Sequence, residues 1–319
     1  MSPTPQTSIL LLGAGELGTA FLPYLTTLPS AHLTLGIRSP SSYTHLSTLY
    51  PSLSLAHVDL SSPSAQLAST FSQYDILISA TGFAASPSSL LKLAHEVLAA
   101  GKIKEKDSKG NGKGKLWFFP WQWGVDYDTT GDGAGLMPLF GAQRDVRNLL
   151  REQAGQSNVK WTVVSTGIFM SFLFEAFWGI VEKTKEEEGE GKMVVRCLKD
   201  WEHKVTVTHV DDIGRVLARI LAGDVEGTNG VLYVAGDTVS YGELAGIVGR
   251  VSGCSVEREE WSIPYLEGEL ARDPEDGIKK YRLVFARDGV WWGKEKTVNE
   301  KLGMDMMDVE TFAGELFGK

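Results

Sequence analysis

Residues 8–18 read Ser-Ile-Leu-Leu-Leu-Gly-Ala-Gly-Glu-Leu-Gly, a short apolar run leading without a linker into Gly13, Gly15 and Gly18. The spacing G-x-G-x-x-G constrains a fold only in context, and here a strand pattern stands before it and a helix pattern after it. In that setting Gly13 permits a tight turn, Gly15 lets backbone approach a pyrophosphate, and Gly18 lets the helix lie close to the sheet. The loop Gly13-Ala14-Gly15-Glu16-Leu17-Gly18 then sits at the positive end of a helix starting near Glu16, where phosphate groups bind. The alternative is a glycine-rich structural turn.

The end of the next strand decides which nucleotide fits. His32–Ile37 finishes in Arg38-Ser39, where an NAD-preferring protein carries a carboxylate that accepts from the ribose 2′-hydroxyl. A guanidinium instead donates paired hydrogen bonds to a 2′-phosphate, so Arg38 and Ser39 predict NADP(H), unless Arg38 is only an exposed strand-end arginine. Asp59 ends Ala-His-Val-Asp and is placed either to accept from the adenine amino group or to cap a turn. Thr81-Gly82-Phe83 closes a fourth apolar run, where the chain passes beside the ribose and pyrophosphate.

Strand patterns at 8–12, 33–37, 55–58, 75–80, 116–119 and 161–165 alternate with helix patterns at 16–28, 63–72, 87–100 and 139–154. That alternation predicts an α/β fold with a doubly wound parallel Rossmann sheet. Residues 1–165 form the nucleotide domain in this reading. Residues 166–319 form a smaller, discontinuous C-terminal substrate lobe, with 205–252 returning to pack on the sheet. Helices are also expected at 210–222, 240–252 and 308–317, and a strand at 231–235. Residues 168–182 are apolar on most faces, too much so for a surface helix, and predict a substrate wall or a contact with the C-terminal segment, the alternative being plain core packing. The Lys- and Gly-rich stretch 102–115 reads as an exposed loop, and 182–192 as a helix end running into a second loop.

At 319 residues the chain has room for both lobes, and 43% hydrophobic with 22% charged residues is an ordinary globular composition. A formal charge of −9 argues against nucleic acid or an anionic membrane as partner. Cys197 and Cys254 stand far apart without C-x-x-C spacing, which predicts no disulfide framework and no metal site. The amino-terminal segment lacks the pattern of a targeting peptide, and no apolar run is long enough to span a membrane. A cytoplasmic monomer or homodimer is expected.

The nine tyrosines include none with lysine four positions on, so the acid–lysine pair of ordinary short-chain dehydrogenases is absent. Instead, Leu-Trp-Phe-Phe-Pro-Trp-Gln-Trp-Gly-Val-Asp-Tyr-Asp at 116–128 precedes Leu-Phe-Gly-Ala-Gln-Arg-Asp-Val-Arg at 139–147. Thr-Val-Val-Ser-Thr-Gly-Ile-Phe at 162–169, Thr-His-Val-Asp-Asp-Ile-Gly-Arg at 208–215 and Ala-Gly-Asp-Thr-Val-Ser-Tyr-Gly-Glu-Leu-Ala at 235–245 follow in order. With the glycine motif, this set resembles the NmrA-like and isoflavone-reductase-like family of atypical short-chain dehydrogenases.

The resemblance implies that Pro120, Trp121 and Gln122 form the turn beside the nicotinamide, with Gln122 where the family carries an acid. It implies that Phe169 packs on the nicotinamide ring, the alternative being core packing, and that His209–Gly214 is a structural helix start. It also implies that residue 143 should be the lysine that touches the nicotinamide ribose and organises the proton donor. Here that residue is Gln143, whose amide forms hydrogen bonds but delivers no proton. Tyr127 and Asp126 are the remaining donor candidates, and either is equally a plain loop residue.

Three functions stay open. The first is an NADPH-dependent reductase of an aromatic or polyketide-like molecule, such as a conjugated carbonyl, of the kind met in secondary metabolism. Trp121, Trp123, Phe169, Phe172 and Trp178 would wall its substrate. The second is an NADP(H)-sensing binding protein without turnover. The third is a non-redox enzyme that keeps the nucleotide as a structural element.

Overall fold

In the computed structural model, β1 (Thr7–Leu12) runs into α1 (Glu16–Leu25), followed by β2 (Ala31–Ile37), α2 (Thr44–Leu49), β3 (Ser54–His57) and α3 (Ser64–Phe71). Next come β4 (Ile76–Ser79), α4 (Pro87–Asp107), β5 (Leu116–Phe119), the short α5 (Tyr127–Thr130), α6 (Pro138–Gln153) and β6 (Val159–Ser165). The structure describes residues 6–82, 86–107, 114–184, 191–226 and 228–318.

Later elements are β7 (Ile168–Phe169), β8 (Val181–Thr184), β9 (Lys192–Leu198), β10 (Lys204–Thr208), α7 (Val210–Ala222), β11 (Gly230–Tyr233) and β12 (Asp237–Ser240). The chain ends through α8 (Tyr241–Ser252), β13 (Val256–Trp261), α9 (Ile263–Arg272), α10 (Gly277–Phe285), α11 (Val298–Lys301) and α12 (Val309–Phe317).

Two compact units share the chain. The first holds Met1–Gln122, Ala142–Val164 and Ile213–Leu232; the second holds Trp123–Gly141, Ser165–Asp212 and Tyr233–Lys319. The sheet of the first unit runs in the order β11-β6-β5-β4-β1-β2-β3. Pairs β2–β3, β1–β2, β1–β4, β4–β5 and β5–β6 are all parallel. This is the expected doubly wound sheet. Its central strands are covered on both faces, so Leu10, Leu11, Leu12, Leu77 and Ile78 are wholly buried. Strand order reverses between β1 and β4, and the carboxyl ends of those strands open a crevice there.

The second unit is built around two three-stranded sheets, β12-β10-β7 and β13-β9-β8. In each, one pair is antiparallel (β10–β12, β8–β9) and one parallel (β7–β10, β9–β13). Their apolar faces bury a separate core that includes Val195, Val207, Leu244, Trp178 and Phe285. A capping box starts α8: Ser240 Oγ accepts from the Glu243 amide at 3.1 Å and Glu243 Oε2 from the Ser240 amide at 2.7 Å.

Residues 168–182 are taken up by β7, a 3-10 turn over Met170–Phe174 and the start of β8. Gly179 at φ +71° interrupts that run, and the stretch has no polar face to present to water. The helix end expected at 182–192 is corrected: residues 182–184 lie in β8 and Lys192 opens β9, its antiparallel partner, while residues 185–190 fall outside the described residues. The expected loop at 102–115 begins too early, because α4 continues to Asp107. Lysine and glutamate are good helix formers, and Lys104 is only 3% exposed. Its Nζ donates to the Tyr74 carbonyl and to Asp75 Oδ1, both at 2.7 Å. No described helix is long and apolar enough to cross a membrane.

Asp75 also accepts from the Ser8 amide at 2.9 Å and the Ser8 hydroxyl at 2.8 Å, which ties β1 to the start of β4. Burial pushes its pKa up, but the Lys104 and Ser8 hydrogen bonds outweigh this and hold the carboxyl below its usual range. Asp75→Asn is therefore expected to cost about 1–3 kcal/mol at neutral pH. A depressed folded-state pKa stabilises fully above the unfolded value of about 3.9 and is lost as pH falls through the folded one. Urea unfolding of wild type and variant should show the gap closing toward about pH 3.

Candidate functional site

At the β1–α1 turn each glycine has its own physical reason. Gly13 adopts φ +99°, and a Cβ there would lie 2.6 Å from the Ala80 carbonyl oxygen at the end of β4. A Cβ on Gly18 would collide with the Gly13 carbonyl oxygen, so α1 rests backbone to backbone on the turn. Gly15 differs: a Cβ there would meet no atom within 4 Å. It is the N-cap of α1 and no side chain caps that end, leaving the first-turn amides aimed outward.

That opening is part of a cleft of about 1010 Å³ along the carboxyl ends of β1 to β4. Gly13, Ala14, Gly15, Arg38, Ser39, Asp59 and Thr81 lie on its wall. Glu16 is exposed outside the wall, Leu17 is a core residue at 5% exposure, and Gly18 serves the helix packing just described. Gly82, at φ +77°, follows Thr81, and Phe83 falls outside the described residues.

The charges in the cleft are arranged unequally. Arg38 is exposed and makes no ion pair among the described residues. Asp59 Oδ1 accepts from the Ser61 amide at 2.9 Å and the Ser61 hydroxyl at 2.8 Å. These bonds, with lesser help from the positive charge of Arg38 and from His57, hold its carboxyl below the usual range. Asp59 Oδ2 makes no hydrogen bond among the described residues, so the side chain that folds the turn keeps one acceptor for a ligand.

Beyond β5 the chain turns on a 2.7 Å hydrogen bond from the Gln122 amide to the Pro120 carbonyl, placing half-buried Trp121 at the corner. Gln122 itself is fully buried. Its Nε2 donates to the Gln143 carbonyl at 2.8 Å and its Oε1 accepts from buried Arg147 Nε at 2.7 Å. Gln122 is thus a brace between the turn and α6, with both ends of its amide committed. Gln143 is 2% exposed, and its own side-chain amide bonds to no other described residue.

In the second unit the two donor candidates prove structural. Asp126 is the N-cap of α5, accepting from the Asp128 amide at 3.2 Å, the Thr129 hydroxyl at 2.9 Å and the Tyr233 hydroxyl at 3.2 Å. Tyr127 is 6% exposed, packs edge-on against Phe140 at 5.0 Å, and its hydroxyl stands over Gly124. Trp178 is corrected from a substrate wall to core packing: at 1% exposure it lies edge-on to Tyr281 and Phe285. Trp123 is likewise buried at 7%. Phe169 and Phe172 remain half-buried and continue edge to face into Phe177, which is 47% exposed. His209 packs against Phe312, and Asp212 holds the Met307 amide at 2.7 Å, both structural contacts.

Sequence reasoning missed Ser42, Tyr43, Ser88, Ser89 and Lys92 on the cleft wall, and Phe177 in the aromatic row. The serine clusters at 39–42 and 86–89 carried a usable signal. One follows β2 and the other β4, the two neighbours of β1 in the sheet. Among the described residues no cluster of His, Cys, Asp or Glu could hold a metal.

The sequence pattern of the NmrA-like family matches residues 5–272. An "NmrA-like family domain-containing oxidoreductase" from Gibberella moniliformis is 35% identical over 318 residues, covering 96% of each chain. Among solved structures, an isoflavone reductase superposes with a TM-score of 0.73 at 15% identity, over 98% of this chain and 99% of that one. A leucoanthocyanidin reductase–NADPH binary complex from Vitis vinifera gives 0.74 at 17% identity, over 98% of this chain and all of that one (100%). At these identities the two structures share the fold.

The glycine roles predict opposite outcomes for one added methyl. Gly18→Ala should cost about 1–3 kcal/mol in chemical unfolding, because α1 must move off the turn. Gly15→Ala should stay within about 1 kcal/mol of wild type, since its backbone suits any residue and its Cβ meets open space.

Proposed function

From a chain that belongs to the NmrA-like family, we propose an NADP(H)-dependent oxidoreductase that reduces an aromatic, conjugated carbonyl compound. The observation that carries this reading is the cleft at the Gly13–Gly18 turn, with an uncapped helix end, open space at Gly15 and an Arg38 that makes no ion pair among the described residues. The residues fit the dinucleotide: the α1 amides receive the pyrophosphate, Arg38 and Ser39 the 2′-phosphate, and Asp59 Oδ2 the adenine amino group. Thr81 and Gly82 border the ribose. Trp121 and Gln143 are assigned to the nicotinamide end. The bound nucleotide would supply a hydride.

The proton has a different origin. Gln143 donates and accepts hydrogen bonds without releasing a proton at neutral pH, so it orients a ribose hydroxyl or a substrate carbonyl. Asp126 is spent as a helix cap and Tyr127 as a core residue. The product's proton therefore comes from water, which favours acceptors whose reduced form spreads negative charge over an aromatic system. Phe169, Phe172 and Phe177 offer a row of ring edges and faces suited to a flat apolar substrate.

Gln143 also favours a second reading, a protein that binds NADP(H) and signals without turnover. Loss of nicotinamide absorbance with a panel of quinones, enones and aryl ethers separates the two. The reductase reading expects consumption with some quinone or enone; a nucleotide that binds yet is never consumed leaves the sensor.

Arg38→Glu should lower the preference for NADPH over NADH at least about tenfold, measured as a ratio of dissociation constants. An unchanged ratio removes Arg38 from the phosphate site. Gln143→Lys should raise kcat on enones about tenfold or more, because a general acid is restored, while quinones change little.

A further inference from the structure

Lys92 stands on the cleft wall, in the second turn of α4, and nothing above assigns it a task. An ammonium in such a cleft suggests a direct ligand, but two of its three donors and its charge are already engaged within the protein. Nζ donates to the Leu60 carbonyl at 2.8 Å and the Ser62 carbonyl at 3.2 Å. It also lies 2.5 Å from Glu96 Oε1, one turn further along the helix. That contact is close but off the hydrogen-bond axis, and neither Glu96 oxygen has a hydrogen-bond partner among the described residues. Glu96 is 2% exposed, so Lys92 is its charge partner and is held in place by it. Of the ammonium's three donors two are spent on these backbone carbonyls, and its charge is balanced by Glu96.

The two carbonyls belong to the turn that begins at Asp59. That turn is closed on its other side by the bonds from Ser61 to Asp59 Oδ1 and from the Ser62 amide to the Asp59 carbonyl at 3.0 Å. Lys92 thus pins from α4 the loop that carries the one carboxylate on the cleft wall. We infer that Lys92, oriented by Glu96, is a positioning residue for base recognition: it fixes the 59–62 turn so that Asp59 reads the exocyclic amine of the purine. The inference rests on the reading that this cleft holds NADP(H). A loop free to shift by about 1 Å would still admit the nucleotide through Arg38 and the α1 amides, but would lose the hydrogen bond that distinguishes one base from another.

The test is a fluorescence titration of the full chain with NADPH, NADH and the hypoxanthine analogue of NADPH, in which an oxo group replaces the amine. Wild type should bind NADPH about tenfold more tightly than the analogue, the value of one hydrogen bond to a charged group. In Lys92→Met that ratio should fall to about twofold or less while the NADPH-to-NADH ratio is unchanged, an outcome that general loosening of the fold would not give. A folded Lys92→Met that keeps its base preference overturns the inference. If that variant does not fold because Glu96 is stranded, the double variant Lys92→Met/Glu96→Leu removes both charges and must lose the preference in the same way. Wild type that binds NADPH without base preference also overturns it and leaves the nucleotide site standing. Wild type that binds no NADPH overturns the nucleotide site itself.

Discussion

The approach of Gly18 to the Gly13 carbonyl sets how closely α1 lies on the first sheet, and the order of the cleft follows from it. With α1 seated backbone to backbone on the turn, its uncapped amides stand at the carboxyl ends of β1 and β4, where the sheet's connections diverge. Gly13 is fixed in turn by the Ala80 carbonyl, so the turn is gripped between two strands and one helix. Side chains supply only the periphery: Arg38 from β2's end, Asp59 from β3's end, Lys92 from α4. A binding surface made of backbone at its centre tolerates sequence drift in the surrounding helices, which fits folds that superpose at 15–17% identity.

Legibility in the sequence tracks how local each element's reasons are. The central strands β1, β4 and β5 read directly from their residues because a parallel strand covered on both faces is a nearly unbroken apolar run. β13, Val-Glu-Arg-Glu-Glu-Trp, carries no such run: its charged residues face outward from a sheet edge, and its partner β9 lies some sixty residues earlier in the chain. The lysines at 102–106 misled for another reason. Their composition suggests a solvated loop, yet Lys104 is buried because Asp75 and the Tyr74 carbonyl, far away in sequence, receive its ammonium. For the site, the glycines, Arg38 and Asp59 were visible as strand-end residues. The fates of Asp126, Tyr127 and Trp178 were not, since a cap, a core tyrosine and a core tryptophan look identical in sequence to a donor and a wall.

Gln122 and Gln143, where the resemblance implies an acid and a lysine, meet in one network, and its chemistry explains why they can coexist. Gln122 must accept from Arg147 and donate to the Gln143 carbonyl at the same time. An amide does both. A carboxylate at 122 would suit the guanidinium but set one acceptor against another at the carbonyl. The scaffold that holds the second turn of α6 is therefore built for an amide at 122, and because it grips the carbonyl of residue 143 it does so whatever side chain stands there. In the reductase proposed above, glutamine at 143 would keep hydrogen-bonding capacity and position without supplying a proton, a combination that suits acceptors needing orientation more than protonation.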